Sequence, residues 1–209
     1  MPTGVAIRDA REQLFDAAER VLLRDGPSAL TSRAVTTEAG CAKGLLHRYF
    51  ADFDTFLAEL VLDRVAWMDG RSAALRASAG TGTVAGNLAG ALTDLFESVA
   101  VAIVGLVISR DALRARLRQV WPTGVPLLTE AAAMIASYLA AERDLGRVAA
   151  DADIGTLAPT LIGTAHMLFA DRKSAPPEAG DVHRFVSTVI AAVVREPPSA
   201  NPGPPAAAQ

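Results

Sequence analysis

The chain has 209 residues, of which 51% are hydrophobic and 5% aromatic, and its formal net charge at pH 7 is −3. This length allows one or two domains with a sizeable core, and the composition favours long helices packed through small side chains over a β-sandwich. A single cysteine excludes an internal disulfide framework, and no signal-peptide pattern is present, so we expect an all-α cytoplasmic protein.

The first predicted helix covers residues 5–25 and ends at Asp25-Gly26-Pro27. Two short helices joined by a tight turn are predicted next. Thr31 is a suitable N-cap for the first of them, which runs to about Glu38, and Gly40 can adopt the left-handed conformation that closes a helix. The second is predicted to start near Ala42 and to run to Tyr49-Phe50.

A small shared core is predicted between these two helices, because Val35, Leu46 and Phe50 have the spacing to meet. This arrangement leaves an outward surface on the second helix that consists of Lys43, Leu45, His47 and Arg48. Between residues 31 and 50, three basic side chains accompany a single acid, Glu38, which places local positive charge on an acidic protein.

The segment resembles the N-terminal DNA-binding domain of the TetR (tetracycline-repressor) family. The resemblance is carried by Leu30-Thr31, Val35, Ala39-Gly40, Gly44, Leu46, Tyr49-Phe50, Asp54 and Leu57. It implies a helix-turn-helix that binds double-stranded DNA. The positions to which it assigns backbone or base contacts are Thr31, Arg33, Lys43, Gly44, Leu45, His47, Arg48 and Tyr49.

The sequence departs from the family pattern at five positions, one of which is Cys41, where valine is usual. Ala42 stands where a Ser or Thr commonly caps the second helix, and the loss of such a cap costs on the order of 1 kcal/mol. His47 replaces the usual tyrosine and can still donate to a phosphate, while Phe53 replaces a frequent lysine. Leu45 replaces a common threonine and suggests an apolar contact, such as one with a thymine methyl.

Further helices are predicted beyond this motif over residues 52–76, 84–109, 111–120, 127–145, 153–171 and 181–195. The apolar run over residues 99–108 is too short to cross a bilayer and is predicted to be a buried core helix. We therefore divide the chain into a DNA-binding domain (1–51), a helical ligand-binding and dimerisation domain (52–195) and a disordered proline-rich tail (196–209).

The family resemblance implies a ligand cavity enclosed by the middle helices and a dimer interface formed by the last two. The candidate pocket residues are Trp67, Met68, Phe96, Trp121, Met134, Tyr138, His166 and Met167. Their character suggests a small apolar or aromatic effector, although ordinary core packing is the alternative for each of them. The candidate interface residues, for which packing within the subunit is the alternative, are Leu157, Leu161, Ala165, Leu168, Phe185, Val186, Val189, Ile190 and Val193.

No catalytic or cofactor-binding motif occurs, and the three histidines have no metal-ligand spacing, so we expect no enzyme activity, metal or cofactor. The sequence predicts a homodimeric, ligand-responsive repressor that binds a pseudo-palindromic operator. A helical protein that binds a small molecule or a protein partner and carries a degenerate DNA-binding motif is the alternative, and a small helical enzyme is a more distant one.

Overall fold

The structure, a computed structural model, describes residues 4–42, 44–122, 124–170 and 177–195. Within these ranges the regular structure is helical and includes no β-strand, which confirms the predicted all-α fold. The helices, in chain order, are α1 (Gly4–Asp25), α2 (Ser32–Glu38), α3 (Leu45–Tyr49), α4 (Phe53–Ala77), α5 (Val84–Phe96), α6 (Ala100–Ser109), α7 (Asp111–Leu117), α8 (Leu128–Asp144), α9 (Ile154–Phe169) and α10 (Ala179–Ile190).

The N-terminal helices surround the small core that the sequence predicts. Val35 and Leu46 are completely buried, and Phe50 is 2% exposed. The Phe50 ring contacts the rings of Phe15 and Phe56, with centroid separations of 5.9 and 5.0 Å. The end of α3 is therefore held by aromatic side chains from both α1 and α4.

Helix α4 connects the N-terminal helices to the rest of the chain. Its first turns bury Phe56, Leu57 and Leu60, and its later turns bury Met68 and Leu75. The helix packs against α7 and α8, so one continuous 25-residue helix belongs to the cores of both ends of the molecule. Helix α4 therefore links the N-terminal helices to α7 and α8 through one uninterrupted element.

The single helix predicted over residues 84–109 is wrong, because the structure breaks it into α5 and α6 with a bend of 56°. The hydroxyl of Ser98 donates to the carbonyl of Leu95 and accepts from the N–H of Ala100 at 3.2 Å. A side chain that replaces backbone partners in this way interrupts a helix. The apolar segment that follows is buried as predicted, with Ile103 and Leu106 completely inaccessible.

No single helix in the described ranges is long and apolar enough to cross a membrane, and the bent pair α5–α6 meets that length and composition test only when its two parts are taken together.

The last helix is shorter than the predicted span of 181–195, because α10 ends at Ile190 and the chain then turns. Beyond the turn, the N–H of Ala149 donates to the carbonyl of Val193 at 2.8 Å, and the N–H of Arg195 donates to the carbonyl of Arg147 at 2.9 Å. These backbone bonds attach the end of the described chain to the loop after α8. The predicted tail, 196–209, lies outside the described residues.

Candidate nucleic-acid interface

Helix α2 begins and ends as its sequence predicts. The Thr31 hydroxyl accepts from the backbone N–H of Ala34 at 3.1 Å, which is an N-cap hydrogen bond. At the other end Gly40 has a φ of +63°, a conformation that is unfavourable for residues with a side chain. The N–H of Cys41 then returns to the carbonyl of Thr36 at 3.1 Å and fixes the tight turn.

Helix α3 starts three residues later than predicted. Its N-cap position is Gly44, and no side chain caps it. Because alanine carries no hydroxyl, Ala42 cannot supply the cap; its carbonyl instead accepts from the N–H of Leu45 at 2.8 Å in a turn. The predicted contact residue Lys43 lies outside the described residues.

The outward surface of this helix pair contains most of the predicted contact residues. Thr31, Arg33, Gly44, His47 and Arg48 are exposed. Leu45 is half-buried. Tyr49 is also half-buried and packs against the core.

Two arginines of α1 neutralise the only acid of the helix-turn-helix. Arg20 and Arg24 each donate to Glu38 at 2.8 Å, one to each carboxylate oxygen. The hydrogen bonds from Arg24 and then from Arg20 hold the pKa of Glu38 below its ordinary value. Arg33 and Arg48, by contrast, make no ion pair with any described residue. The charge that remains available on this surface is therefore positive.

Two more side chains of α1, which the sequence did not identify, position the turn and α3. The Gln13 amide donates to the carbonyl of Ala39 at 2.9 Å, at the end of α2. The Arg11 guanidinium lies 4.6 Å from the centroid of the Phe50 ring and pairs with Glu59 of α4. Hydrophobic periodicity identifies the buried face of α1, but it carries no information about these polar partners.

The junction between α6 and α7 contacts both ends of the helix-turn-helix. Arg110, at this junction, donates to the carbonyl of Leu30 just before α2 at 2.5 Å, and its guanidinium lies 5.6 Å from the Phe53 ring. Arg116 of α7 pairs with Asp52 at 3.3 Å, next to the start of α4. Phe53, which departs from the family pattern, thus lies against an arginine that contacts the segment before α2.

Asp52 is the N-cap of α4 and accepts from the backbone N–H of Thr55 at 2.6 Å and from its hydroxyl at 2.8 Å. The backbone hydrogen bond, followed by the hydroxyl, lowers the pKa of Asp52 from its ordinary value of 3.8. Asp52 therefore stabilises the folded state above that ordinary value, and the stabilisation is lost as the pH falls through the lower folded value.

We expect Asp52→Asn, which keeps a capping side chain without the charge, to reduce the acid dependence of stability. Its melting temperature should fall less steeply than that of the wild type between about pH 5 and about pH 2. Thermal denaturation followed by circular dichroism at several pH values measures both slopes. Equal slopes in the two proteins would contradict this role of Asp52.

The predicted pocket residues occupy several different environments. Met68, Phe96, Met134 and Tyr138 are buried and Trp121 and His166 half-buried, whereas Trp67 is 44% and Met167 78% exposed. Burial lowers the pKa of His166, whose ring lies 6.0 Å from that of Phe96. All eight residues lie within the described ranges. One of them, Met134, lines a cleft between α4 and α5. The enclosed cavity implied for this set stays a prediction.

The predicted interface residues also divide by burial. Four of them pack within the single chain, where they are buried: Leu161, Ala165, Val186 and Ile190. Their apolar neighbours, half-buried or exposed, are Leu157, Leu168, Phe185, Val189 and Val193.

The comparisons with known proteins concern the N-terminal helices and the overall fold. Residues 14–60 match the sequence model of the bacterial regulatory proteins of the tetR family. No curated protein matches the chain. Similar solved structures include reduced Escherichia coli NemR (TM-score 0.69, 15% identity, 87% of this chain and 97% of that chain covered).

Two further similar structures are those of TetR-family proteins. One is a transcriptional regulator from Agrobacterium tumefaciens (TM-score 0.67, 11% identity, 90% and 100% covered), and the other a family member from Streptomyces coelicolor (0.60, 20%, 87% and 98%). The predicted resemblance is thus confirmed: residues 14–60 match the sequence model of the family, and the whole chain has the fold of TetR-family structures.

Proposed function

We propose that this TetR-fold protein is a cytoplasmic, ligand-responsive repressor that binds a pseudo-palindromic operator as a homodimer. The observation that carries the proposal is the positive outward surface of the helix-turn-helix. Arg33, His47 and Arg48 are exposed there, while Glu38 is already paired with two arginines of α1. Lys and Arg side chains that neutralise phosphates release counterions, which is the main source of DNA affinity.

Dimerisation would double the number of contacts that α3 can make with DNA. Helix α3 has five residues, so one protomer offers few base contacts. We assign the dimer interface to α9 and α10; on α9, Met167 and Leu168 expose apolar surface and Leu157, nearer the start of the helix, is half-buried. A twofold arrangement would place the two α3 helices about one turn of DNA apart, or more, and would match a pseudo-palindromic site.

The response to an effector depends on α4 and on the α6–α7 junction. An effector held among the helices of the larger domain can displace α4, and Arg110 and Arg116 carry the displacement to Leu30 and Asp52. For release of the operator, the effector must bind more tightly to the conformation that does not bind DNA, and this differential affinity limits the size of the response.

The direct test is DNA binding by the purified full-length protein. We expect retardation of a duplex from upstream of its own gene, with a binding constant that falls steeply as salt concentration rises. A scrambled duplex of the same length is the control for non-specific binding. Equal retardation of both duplexes would contradict the proposed operator specificity.

One observation favours the alternative of a helical binding protein with a degenerate motif. Helix α3 is short and lacks a side-chain cap, which reduces the surface that can enter a groove. If neither duplex is bound at low salt by a folded dimer, this alternative replaces the repressor.

The contact of Arg110 with the helix-turn-helix should affect DNA affinity. We expect Arg110→Leu to weaken operator binding roughly five- to tenfold, because a charged hydrogen bond to the Leu30 carbonyl is lost and the helix pair becomes less restrained. Fluorescence anisotropy measures the affinity, and amide exchange over residues 30–50 should become faster. Arg118→Leu is the matched control, since Arg118 is exposed and has no ion-pair partner in the described chain. Unchanged affinity and exchange in Arg110→Leu would contradict the coupling.

A further inference from the structure

A cleft of about 520 Å³ lies between α4 and α5, with α8 behind it. Six of the residues that line it are Arg71, Leu75, Ser78, Asn87, Asp94 and Met134. The α5 wall also contains Gly86 and Gly90, one helical turn apart, and a Cβ at Gly90 would meet nothing within 4 Å. The gap between the two helices is therefore open along this part of α5.

The two ends of the cleft differ in polarity. At one end the Asn87 amide donates to the carbonyl of Ser78 at 3.3 Å, which joins the two helices near their connecting loop. Arg71 lies seven residues before Ser78 on α4, and Asp94 lies seven residues after Asn87 on α5, so both are two turns and about 10 Å from this end. Leu75 and Met134 supply apolar surface to the same cleft. The cleft thus has a neutral polar end, an apolar middle and an end with one charge of each sign.

Neither charge at that end has an ionic partner among the described residues. The guanidinium of Arg71 lies 3.8 Å from the centroid of the Trp67 ring. Stacking on an indole orients the planar guanidinium and leaves its N–H edges free to bind a carboxylate through two parallel hydrogen bonds. Trp67, predicted as a pocket residue, therefore supports the cleft through Arg71.

We propose that this cleft binds a 2-hydroxy or 2-amino acid with an apolar side chain. Arg71 takes the carboxylate, and Asp94 accepts a hydrogen bond from the neighbouring hydroxyl or ammonium group. The apolar side chain lies along Leu75 and Met134. A multiply charged anion is disfavoured because the Asp94 carboxylate repels it. This effector class is more polar than the apolar or aromatic one that the sequence suggests.

The neutral polar end of the cleft, at Asn87, connects a bound ligand to the end of α4. Besides Ser78, the Asn87 amide contacts the Tyr138 hydroxyl at 3.0 Å, and that hydroxyl donates to buried Glu142 at 2.6 Å. Glu142 in turn accepts from the N–H of Gly80, in the loop that follows α4, at 3.3 Å. A ligand that moves Asn87 would therefore shift the end of α4. This regulatory consequence rests on the proposed function, whereas binding itself does not.

The test measures binding to the full-length protein by calorimetry, without DNA. The probes are 3-phenyllactate and phenylalanine, with 3-phenylpropionate (no 2-substituent) and phenylalaninamide (no carboxylate) as comparison compounds. We expect 3-phenyllactate or phenylalanine to bind more tightly than both comparison compounds. Comparing the affinities of 3-phenyllactate and phenylalanine shows whether the cleft prefers a 2-hydroxyl or a 2-ammonium group.

Three variants locate the binding. Arg71→Gln should weaken the preferred probe roughly tenfold or more, since a charged bidentate contact is lost. Asp94→Asn should weaken the preferred probe but not 3-phenylpropionate, and Arg76→Gln, an exposed arginine elsewhere on α4, should leave binding unchanged. Circular dichroism and melting temperature establish that each variant is folded, and Arg71→Lys, which keeps the charge, is a second variant should Arg71→Gln unfold.

Absence of binding by both acids, or equal affinity in the wild type and a folded Arg71 variant, would overturn the proposed ligand class. Operator binding is measured in a separate assay. A protein that binds the operator but no acid would overturn this inference alone, and a protein that binds the acid but no DNA would overturn the repressor alone.

Discussion

Replacing Arg48 with alanine is expected to weaken operator binding by on the order of a hundredfold, because the proposed dimer would lose two contacts and a bidentate guanine contact contributes about 1–3 kcal/mol. Arg48 lies on the exposed side of α3, just before its last residue. No described acid pairs with it, so the whole of its charge is available to DNA. If Arg48 contacts phosphates, the slope of log affinity against log salt should also fall by about two for the dimer.

Fluorescence anisotropy at four or more salt concentrations measures both quantities. Arg118→Ala is the matched control: it removes the same charge from an exposed position on the segment after α7, so any effect of net charge alone appears there too. Size-exclusion chromatography establishes whether both variants keep the oligomeric state of the wild type. An unchanged affinity and salt slope in Arg48→Ala would exclude Arg48 from the DNA interface and would favour the partner-binding alternative.

The local features of the helix-turn-helix could be predicted because neighbouring residues determine them. The Thr31 cap spans three residues, and Gly40 closes α2 through its own backbone conformation. The start of α3 was predicted too early, since the spacing of apolar side chains continues through Ala42 whether or not a cap is present. Ser98 likewise breaks an apolar run whose composition alone favours a continuous helix.

The contacts that connect the two ends of the molecule could not be predicted from sequence. Arg110 and Leu30 are 80 residues apart, and neither residue type specifies the other as a partner. The pairing of Glu38 with Arg20 and Arg24 cannot be predicted either, although it neutralises the acid of α2. Such contacts follow from the packing of helices, which must be known first.

Periodicity also predicts that a helix face is apolar without identifying what covers it. The stripe on α10 includes Val186 and Ile190, and both are buried within the chain, where α10 packs against α5. The sequence alone could not separate this arrangement from a dimer interface. Among the predicted interface residues, those that a partner subunit can contact are the half-buried and exposed ones.

A buried polar cluster at the end of α8 joins two loops of the chain. Glu142 is completely buried, and its carboxylate accepts from the Tyr138 hydroxyl at 2.6 Å and from the N–H of Gly80 at 3.3 Å. Arg147 lies 3.5 Å from the same carboxylate and is itself held by the carbonyl of Gly82 at 2.7 Å. One side chain of α8 therefore holds both the loop after α4 and the loop after α8.

Glu142→Ala is expected to reduce the free energy of unfolding by about 3 kcal/mol, because a buried hydroxyl, a backbone N–H and a guanidinium lose their common partner. For a chain of this length the melting temperature should fall by roughly 10 °C. Glu142→Gln keeps an acceptor for Tyr138 and should cost less, whereas Asp144→Ala, an exposed acid of the same helix, should change stability by less than about 0.5 kcal/mol. Urea denaturation measures the free energy of unfolding of all three variants.

Amide exchange should accelerate at Gly80 in Glu142→Ala but not in Asp144→Ala, since only Glu142 accepts from that N–H. Equal stability of Glu142→Ala and Asp144→Ala would mean that the cluster contributes no net stability, in which case the link from the cleft to α4 would lose its physical basis as well.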